Sequence, residues 1–215
     1  MTTPKPRRPS MQGADQENQE TLKRILKLAN NAPHPVYVPS DDSLLMIDAI
    51  NKLPLSGRSV LDLGAGSGIL GLYCAVQGAE VTASDIEATA LEHIERIAAV
   101  LQVRIKVCLS DLFSNIPDQF DLILFNPPYL PSVGVSDRSV DGGIGGVVLA
   151  DRFLEQLPNH LNKGAYAFLL LSSLNEPASV RDRHGELEFS VVAKKPLFFE
   201  ELEVLRVRLR DSLTV

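Results

Sequence analysis

The sequence predicts an α/β fold in which a doubly wound sheet of seven strands, mostly parallel, ends in a C-terminal antiparallel hairpin. From residue 59 onward, short apolar segments alternate with segments of helical periodicity, which is typical of a parallel sheet with helices on both faces. Within the predicted strand 120–125, the acid Asp121 is followed by a continuous apolar run, as in a central strand that is buried on both sides. The last two strand segments, 188–194 and 201–210, follow each other with no helix between them and predict the hairpin.

The amino-terminal segment precedes this alternation. Residues 1–20 are rich in proline and polar residues and contain almost nothing to bury, so a disordered tail is predicted. Residues 21–30 carry leucines and an isoleucine at helical spacing and predict a short amphipathic helix. Prolines make residues 33–43 a stiff extended stretch, and an acid or a serine then caps a helix over 44–53. We expect a single domain over residues 21–215.

The remaining elements follow from the periodicity of the apolar residues. A glycine-rich turn separates the first strand from a helix that Gly78 closes. The third strand alternates basic or small residues with Ile105, Val107 and Leu109, so one of its faces is predicted to be buried. A long glycine-rich loop, 130–146, follows the fourth strand. The predicted strands are 60–63, 80–85, 104–109, 120–125, 165–172, 188–194 and 201–210, and the later predicted helices are 69–76, 87–101, 147–161 and 177–183.

Composition and charge exclude several classes of protein. The 215 residues are 45% hydrophobic and 22% charged, which is the composition of an ordinary globular chain. The net charge of -6 argues against a surface that coats nucleic acid. Two cysteines and four scattered histidines have no metal-ligand spacing, so no metal site is predicted. The sequence contains no apolar run of membrane-spanning length and no signal-peptide core. We therefore expect a cytoplasmic protein without membrane contact.

The motif Asn126-Pro127-Pro128-Tyr129 directly follows the fourth strand. Ligands of open α/β sheets bind beyond the carboxyl ends of the strands, so Asn126 is predicted to face the functional site. The prolines fix the turn and offer carbonyl acceptors without competing N–H donors, and Tyr129 adds a flat ring with a polar tip. The amide oxygen of Asn126 and a neighbouring carbonyl then form a pair of acceptors for one planar NH2 group. The alternative is a purely structural turn that Asn126 caps.

The glycine loop after the first strand has more than one interpretation. Gly66, Gly68 and Gly71 match the dinucleotide pattern G-x-G-x-x-G, and Asp85 lies near the spacing at which an acid binds a ribose. These residues alone favour an NAD enzyme. A second alternative is a tight structural turn with no ligand.

Three further features favour a different cofactor. Asp62 lies inside the first strand, two residues before Gly64, and extends the pattern to D-x-G-x-G-x-G, as in a loop around a cofactor without a pyrophosphate. Asp111 ends the third strand with an acid able to accept a hydrogen bond from an adenine amino group. Together with the Asn-Pro-Pro-Tyr motif, these residues resemble the class I S-adenosylmethionine-dependent methyltransferases that methylate planar nitrogens, which have a Rossmann-like fold. The resemblance implies S-adenosylmethionine as cofactor, bound by Ser43, Asp62, Gly64, Gly66, Gly68, Asp85, Asp111, Leu112 and Asn126.

Three further segments resemble the HemK-like glutamine methyltransferases of peptide-chain release factors, especially the short archaeal and eukaryotic kind. These segments are 36–45, 141–146 and 198–206. That family implies N5-methylation of the glutamine in the Gly-Gly-Gln motif of a class I release factor. By the resemblance, the glutamine amide is clamped by Asn126, Pro127, Pro128 and Tyr129. The sequence departs from the short form at Val38, where that form typically has glutamate, and at Asp62, which also replaces a glutamate.

The resemblance also implies a partner. The short-form enzymes work with a small zinc-binding activator subunit that adds a strand to the sheet edge, here 104–109; the alternative is an edge protected by Arg104 and Lys106 alone. Two other functions stay open. An N6-adenine methyltransferase acting on RNA or DNA is disfavoured by the acidic chain and by the lack of a separate target-recognition domain. A catalytically silent S-adenosylmethionine-binding scaffold is disfavoured by the complete set of motifs.

Overall fold

The computed structural model describes residues 11–128 and 147–210, with side chains from residue 18 onward. A seven-stranded sheet with the order β3-β2-β1-β4-β5-β7-β6 organises the chain. The first five strands are parallel, and β7 is antiparallel to both β5 and β6, which confirms the predicted fold class. The strands are β1 (Ser59–Leu63), β2 (Glu80–Asp85), β3 (Ile105–Leu109), β4 (Phe120–Phe125), β5 (Leu161–Ser172), β6 (Leu187–Pro196) and β7 (Glu201–Leu209).

Helices pack on both faces of the sheet. Side chains of successive strand residues point to opposite faces, so Leu122 joins the apolar cluster under the first four helices while Ile123 joins the cluster under the last two. None of the helices in the described ranges is long and apolar enough to cross a membrane. The helices are α1 (Met11–Ala29), α2 (Asp41–Ile50), α3 (Ile69–Val76), α4 (Ala88–Leu101), α5 (Val148–Gln156) and α6 (Pro177–Arg183).

Three boundaries differ from the predicted ones. Helix α1 begins at Met11, not at residue 21, so half of the predicted disordered tail is helical. Its polar residues include good helix formers, which extend a helix once the apolar part has packed. Helix α2 begins at Asp41, three residues before the predicted start. Helix α5 ends at Gln156 because a 3₁₀ turn containing Pro158 follows it, and β5 therefore begins four residues before the predicted start.

The strand order reverses between β1 and β4, which are neighbours in the sheet. The chain proceeds outward from β1 to β2 and β3 on one side, and then returns to β4 on the other side. Phe125, the last residue of β4, lies beside Leu63 of β1 and Leu169 of β5. A crevice forms at such a reversal, outside the carboxyl ends of the strands, and it is the usual ligand site of open α/β sheets.

Gly68 is required by packing at the start of α3. Its φ of 76° is left-handed, and a Cβ atom there would lie 2.4 Å from Cγ1 of Ile94 in α4. We expect Gly68→Ala to lower the free energy of unfolding by about 2–4 kcal/mol, since an overpacked core is added to backbone strain. Gly57→Ala is the matched control, because Gly57 has a φ of 77° but no atom within 4 Å of the added Cβ. Equal losses for the two variants in urea denaturation would contradict the packing argument.

Candidate active site

A cavity of about 870 Å³ lies at the carboxyl ends of the first four strands. Its walls contain ten of the sequence-predicted site residues: Ser43, Asp62, Gly64, Gly66, Asp85, Asp111, Leu112, Asn126, Pro127 and Pro128. Gly68 is not among the lining residues and instead contacts α4. Tyr129 and the loop 130–146 lie outside the described residues.

Asp62 lies within β1, almost fully buried beneath the glycine loop. Its Oδ2 accepts a hydrogen bond of 2.7 Å from the backbone N–H of Gly71, which ties the carboxylate to helix α3. Burial raises the pKa of Asp62 to about 7, although the Gly71 N–H lowers it; the charge of Asp85 raises it further. Asp62 is therefore a carboxylate whose charge is poorly compensated by the protein alone.

Asp85, the last residue of β2, connects the glycine loop after β1 to the turn after β2. Its Oδ2 accepts from the N–H of Gly66 at 2.8 Å, and its Oδ1 accepts from the N–H of Glu87 at 2.9 Å. Burial raises the pKa of Asp85, against the lowering effect of these backbone donors. Each carboxylate oxygen has a second lone pair, so Asp85 still has acceptor capacity for two hydroxyl groups of a ligand.

The turn after β3 brings Asp111 and Leu112 to the cavity. Ser110 fixes the turn, since its Oγ donates to the carbonyl of Leu112 at 2.7 Å and accepts from the N–H of Asn115 at 3.0 Å. Leu112 has a φ of 46°, an unfavourable conformation for a leucine that the surrounding hydrogen bonds hold in place. Asp111 forms a salt bridge of 3.0 Å with Arg152 of α5, and both residues are partly exposed at the rim of the cavity.

The segment before α2 and the first turn of α2 line the cavity on its amino-terminal side. The Tyr37 hydroxyl donates to Oδ2 of Asp42 at 2.6 Å, and Oγ of Ser43 donates to Oδ1 of the same carboxylate at 3.1 Å. Asp42 and Ser43 are both buried. A Cβ atom on Gly66 would lie 3.5 Å from Cβ of Tyr37, so this segment lies directly against the glycine loop.

Asn126 follows β4 and lines the cavity together with Pro127 and Pro128. Among the described residues, no donor reaches Oδ1 of Asn126, although this atom is buried. A buried acceptor without a donor is costly, and a ligand that supplies the donor relieves that cost. The Asn126 side chain is thus arranged to accept a hydrogen bond from a group that enters the cavity.

Several lining residues were not identified from the sequence as site residues, among them the polar residues Tyr37, Asp42 and Arg152. Tyr37 and Asp42 lie within the segment 36–45 that carried the resemblance, so their proximity to Ser43 was an available signal. Arg152 gave no comparable signal, because it lies in the middle of an ordinary amphipathic helix.

Comparisons with known proteins agree with this architecture. Residues 41–173 match the family described as the methyltransferase small domain. A Methanocaldococcus jannaschii protein named "Putative protein N5-glutamine methyltransferase" is 36% identical over 182 residues, covering 80% of this chain and 91% of that protein. A "Ribosomal RNA small subunit methyltransferase C" from Hamiltonella defensa is 36% identical over 126 residues, and the match covers 58% of this chain and 34% of that protein.

Two solved structures share the fold. The E. cuniculi Mtq2–Trm112 complex, described as responsible for methylating the eRF1 translation termination factor, superposes with a TM-score of 0.68 at 24% identity; the match covers 81% of this chain and 98% of that chain. The T. thermophilus 16S rRNA N2 G1207 methyltransferase, in complex with AdoMet and guanosine, gives a TM-score of 0.60 at 24% identity and covers 82% of this chain and 45% of that chain.

The cavity fits a cationic nucleoside cofactor. Asp62 and Asp85 are buried carboxylates whose pKa values are raised by burial, so a positively charged ligand supplies the compensation that the protein lacks. The volume of about 870 Å³ lies within the range of roughly 300–1,000 Å³ that is usual for ligand pockets. The chain therefore belongs to the methyltransferase small domain family, and S-adenosylmethionine is its cofactor.

Proposed function

We propose that this S-adenosylmethionine-dependent methyltransferase methylates N5 of the glutamine in the Gly-Gly-Gln motif of a class I peptide-chain release factor. The observation that carries the proposal is the buried Oδ1 of Asn126, a residue that lines the cofactor cavity; this oxygen accepts no hydrogen bond within the described part of the chain. A primary carboxamide supplies the missing donor through its NH2 group.

Asp85 is positioned to accept hydrogen bonds from the ribose hydroxyls of the cofactor, because both its oxygens are fixed by backbone donors. Asp111 is proposed to accept from the adenine amino group, and its salt bridge with Arg152 orients the carboxylate for that contact. Asp62 provides the negative charge beside the methionine portion of the cofactor. The backbone at Gly64 and Gly66 lines the same cavity without side chains that would intrude.

When bound, S-adenosylmethionine supplies a methyl group on a positively charged sulfur. Asn126 Oδ1 and the Pro127 carbonyl are proposed to accept the two hydrogens of the substrate NH2 group, which orients the nitrogen lone pair toward that methyl carbon. An amide nitrogen is a weak nucleophile, and positive charge develops on it as the new bond forms. The two acceptors stabilise this charge, and the nitrogen then loses one proton to water.

Two comparisons support the glutamine of a release factor as the acceptor. The Methanocaldococcus jannaschii relative carries glutamine N5-methylation in its name and covers most of this chain. The E. cuniculi structure, with the same fold, is described as methylating eRF1. Both supports agree with the acceptor of Asn126, which is unpaired among the described residues and suits a planar NH2 group.

A small zinc-binding activator subunit is proposed to cover the edge of the sheet at 104–109. Strand β3 pairs with β2 alone in the described sheet, and Leu109 at its end is 53% exposed. An exposed edge strand with apolar side chains is an aggregation hazard unless another chain pairs with it. The E. cuniculi neighbour is described as a complex with Trm112, which supports such a partner.

Intact-peptide mass spectrometry on the class I release factor of the same host tests the proposal. The factor is incubated with S-adenosylmethionine and this protein, with and without the candidate zinc subunit. We expect a gain of one methyl group on the peptide that contains Gly-Gly-Gln, at the glutamine. A release factor that stays unmethylated in both conditions, while the protein binds S-adenosylmethionine, would contradict the glutamine assignment.

The second candidate substrate is an exocyclic amine of a nucleic-acid base, including adenine N6. The ribosomal RNA methyltransferases among the relatives favour it, and the pair of acceptors at Asn126 suits such an amine equally well. This chain, however, spans only about a third of that relative's length and carries a net charge of -6. Methylation of rRNA, tRNA or DNA in a parallel assay, with the release factor unmodified, would select this alternative.

The raised pKa of Asp62 predicts that cofactor binding depends on pH. With a pKa of about 7, well above the usual value of 3.8, the carboxyl is neutral below pH 7 and ionised above it. A cationic ligand prefers the ionised form, so affinity should rise by at most about tenfold per pH unit up to pH 7 and level off above it. Calorimetry between pH 5.5 and pH 8.5 measures this, and proton release on binding is expected near neutral pH.

Asp62→Asn is the control for this prediction, since the amide has no charge to titrate. Its affinity for the cofactor should be lower at pH 8 and nearly constant across the pH range.

The raised pKa of Asp62 affects folding stability with the opposite sign. Between the two pKa values the folded chain holds a proton that the unfolded chain has released, so the free energy of unfolding should fall as pH rises through that interval. If the affinity and stability of Asp62→Asn depended on pH in the same way as those of the native protein, Asp62 would not be the titrating group.

A further inference from the structure

We propose that the turn between β6 and β7, with Phe198 and Phe199 at its tip, is a docking point for the acceptor protein. This inference rests on the proposed function and adds to it a second point of contact, outside the cofactor cavity. The turn is defined here as residues 197–200.

The two phenylalanines are the most exposed large apolar side chains in the described part of the chain. Phe198 is 90% exposed and Phe199 is 86% exposed, whereas the next, Ile86, is 59% exposed and lines the cavity. The rings contact each other edge to face, with 4.5 Å between centroids. Aromatic side chains of this kind are enriched at the centres of protein interfaces, where they supply large contact areas with few rotatable bonds.

The turn is fixed to the rest of the fold. The N–H of Leu197 donates to the carbonyl of Glu200 at 2.7 Å, and the Glu200 carboxylate accepts from the hydroxyl of fully buried Ser172 at the end of β5. The N–H of Glu201 donates to Oγ of Ser173 at 3.0 Å. A rigid tip loses little conformational entropy when it binds, and this favours association.

The register of the strands places the turn at the edge of the sheet that carries the candidate active site. Strand β7 runs antiparallel to β5, so its first residues lie beside the end of β5, where Ser172 pairs with Leu202. Phe125 of β4 pairs with Leu169, three residues before Ser172. Across the sheet, β7 lies two strand spacings from β4, which is roughly 10 Å. Along the strand direction, the turn projects roughly 10 Å beyond the carboxyl end of β5. A protein that places a side chain against Asn126 therefore passes within reach of the turn.

The charges around the turn favour a protein occupant over a nucleic acid. The acid of the turn itself, Glu200, repels phosphates. The nearby lysines are paired: Lys194 lies 2.8 Å from Glu201, and Lys195 lies 2.9 Å from Asp41. An apolar tip flanked by acids and neutralised lysines offers no phosphate-binding group, whereas it suits an apolar patch on a folded protein.

The test is steady-state kinetics of the complete protein with the full-length release factor. We expect Phe198→Ala/Phe199→Ala to raise the KM for the release factor by at least about tenfold, with kcat at saturation and the Kd of S-adenosylmethionine unchanged. The Phe198→Leu/Phe199→Leu variant should recover most of the loss, because it restores apolar area. Leu209→Ala removes a side chain that is 41% exposed at the opposite end of β7, and it should leave the KM unchanged.

The outcomes separate this inference from the proposed function. Methylation by the native protein together with an unchanged KM in the double alanine variant would overturn the docking point alone. A native protein that leaves the release factor unmethylated would remove the proposed function, and the docking point with it. Sedimentation of the native chain as a dimer and of the double variant as a monomer, with equal KM values, would assign the turn to self-association and also overturn the inference.

Discussion

Asn126→Ala is expected to lower kcat for the acceptor by about 10²–10³-fold, the usual effect of removing one preorganised group that stabilises transition-state charge. The variant removes the buried Oδ1, which accepts no hydrogen bond from the described residues. Because no hydrogen bond to that oxygen is lost from the folded chain, the free energy of unfolding should change little. Steady-state mass spectrometry of the methylated product measures kcat, and urea denaturation measures the free energy of unfolding.

Asn162→Ala is the matched control for this prediction. Asn162 lies near the start of β5, at the opposite edge of the sheet, where its Nδ2 donates to Oδ1 of Asp121 at 2.8 Å. We expect this variant to retain its activity and to lose some stability, the reverse of the Asn126 variant. A variant at Asn126 that keeps full kcat would show that the side chain has no part in positioning the nitrogen.

Asp85→Ala is expected to weaken binding of S-adenosylmethionine by about 100-fold or more. Hydrogen bonds to charged acceptors contribute roughly 1.5–3 kcal/mol each, and two ribose hydroxyls are proposed to donate to this carboxylate. The variant also leaves the N–H groups of Gly66 and Glu87 without their acceptor, so the glycine loop loses its fixed position. Isothermal titration calorimetry at pH 8, above the pKa of about 7 of Asp62, measures the affinity of the native protein and of the variant.

The Asp121→Ala variant is the control that distinguishes a loss of cofactor affinity from a general loss of stability. Asp121 also accepts several hydrogen bonds, from the N–H and Oγ of Ser59 and from Asn162, and these donors lower its pKa. It lies near the start of β4, away from the cavity. We expect the Asp121 variant to lower thermal stability without changing the affinity for the cofactor. Equal affinity losses in the two variants would contradict a direct role for Asp85.

The sheet was predictable from the sequence because its central strands are buried on both faces. After Asp121, the residues of β4 form an uninterrupted apolar run, and the polar residue that follows it, Asn126, lines the cavity. Asp62 and Asp85 were also predictable, since each occupies a fixed place relative to the glycine loop.

Other features depend on tertiary contacts that no local pattern encodes. The glycine pattern suggested that Gly68 faces the cofactor, whereas the added Cβ would contact Ile94 of another helix. The salt bridge between Arg152 and Asp111 joins residues 41 positions apart. The early start of α1 was missed because the amino-terminal residues lack apolar periodicity, although Asn18 contacts Asn51 and Gln77.

The poorly compensated carboxylate of Asp62 has a consequence for turnover. Methyl transfer turns a cationic sulfonium into a neutral thioether, so the spent cofactor lacks the charge that Asp62 is proposed to balance. Because burial raises the pKa of Asp62 to about 7, the carboxyl takes up a proton near neutral pH once the sulfonium charge is lost, and it then gives the product no charge stabilisation. A single buried acid thereby makes the site prefer a fresh methyl donor over a used one, which limits product inhibition.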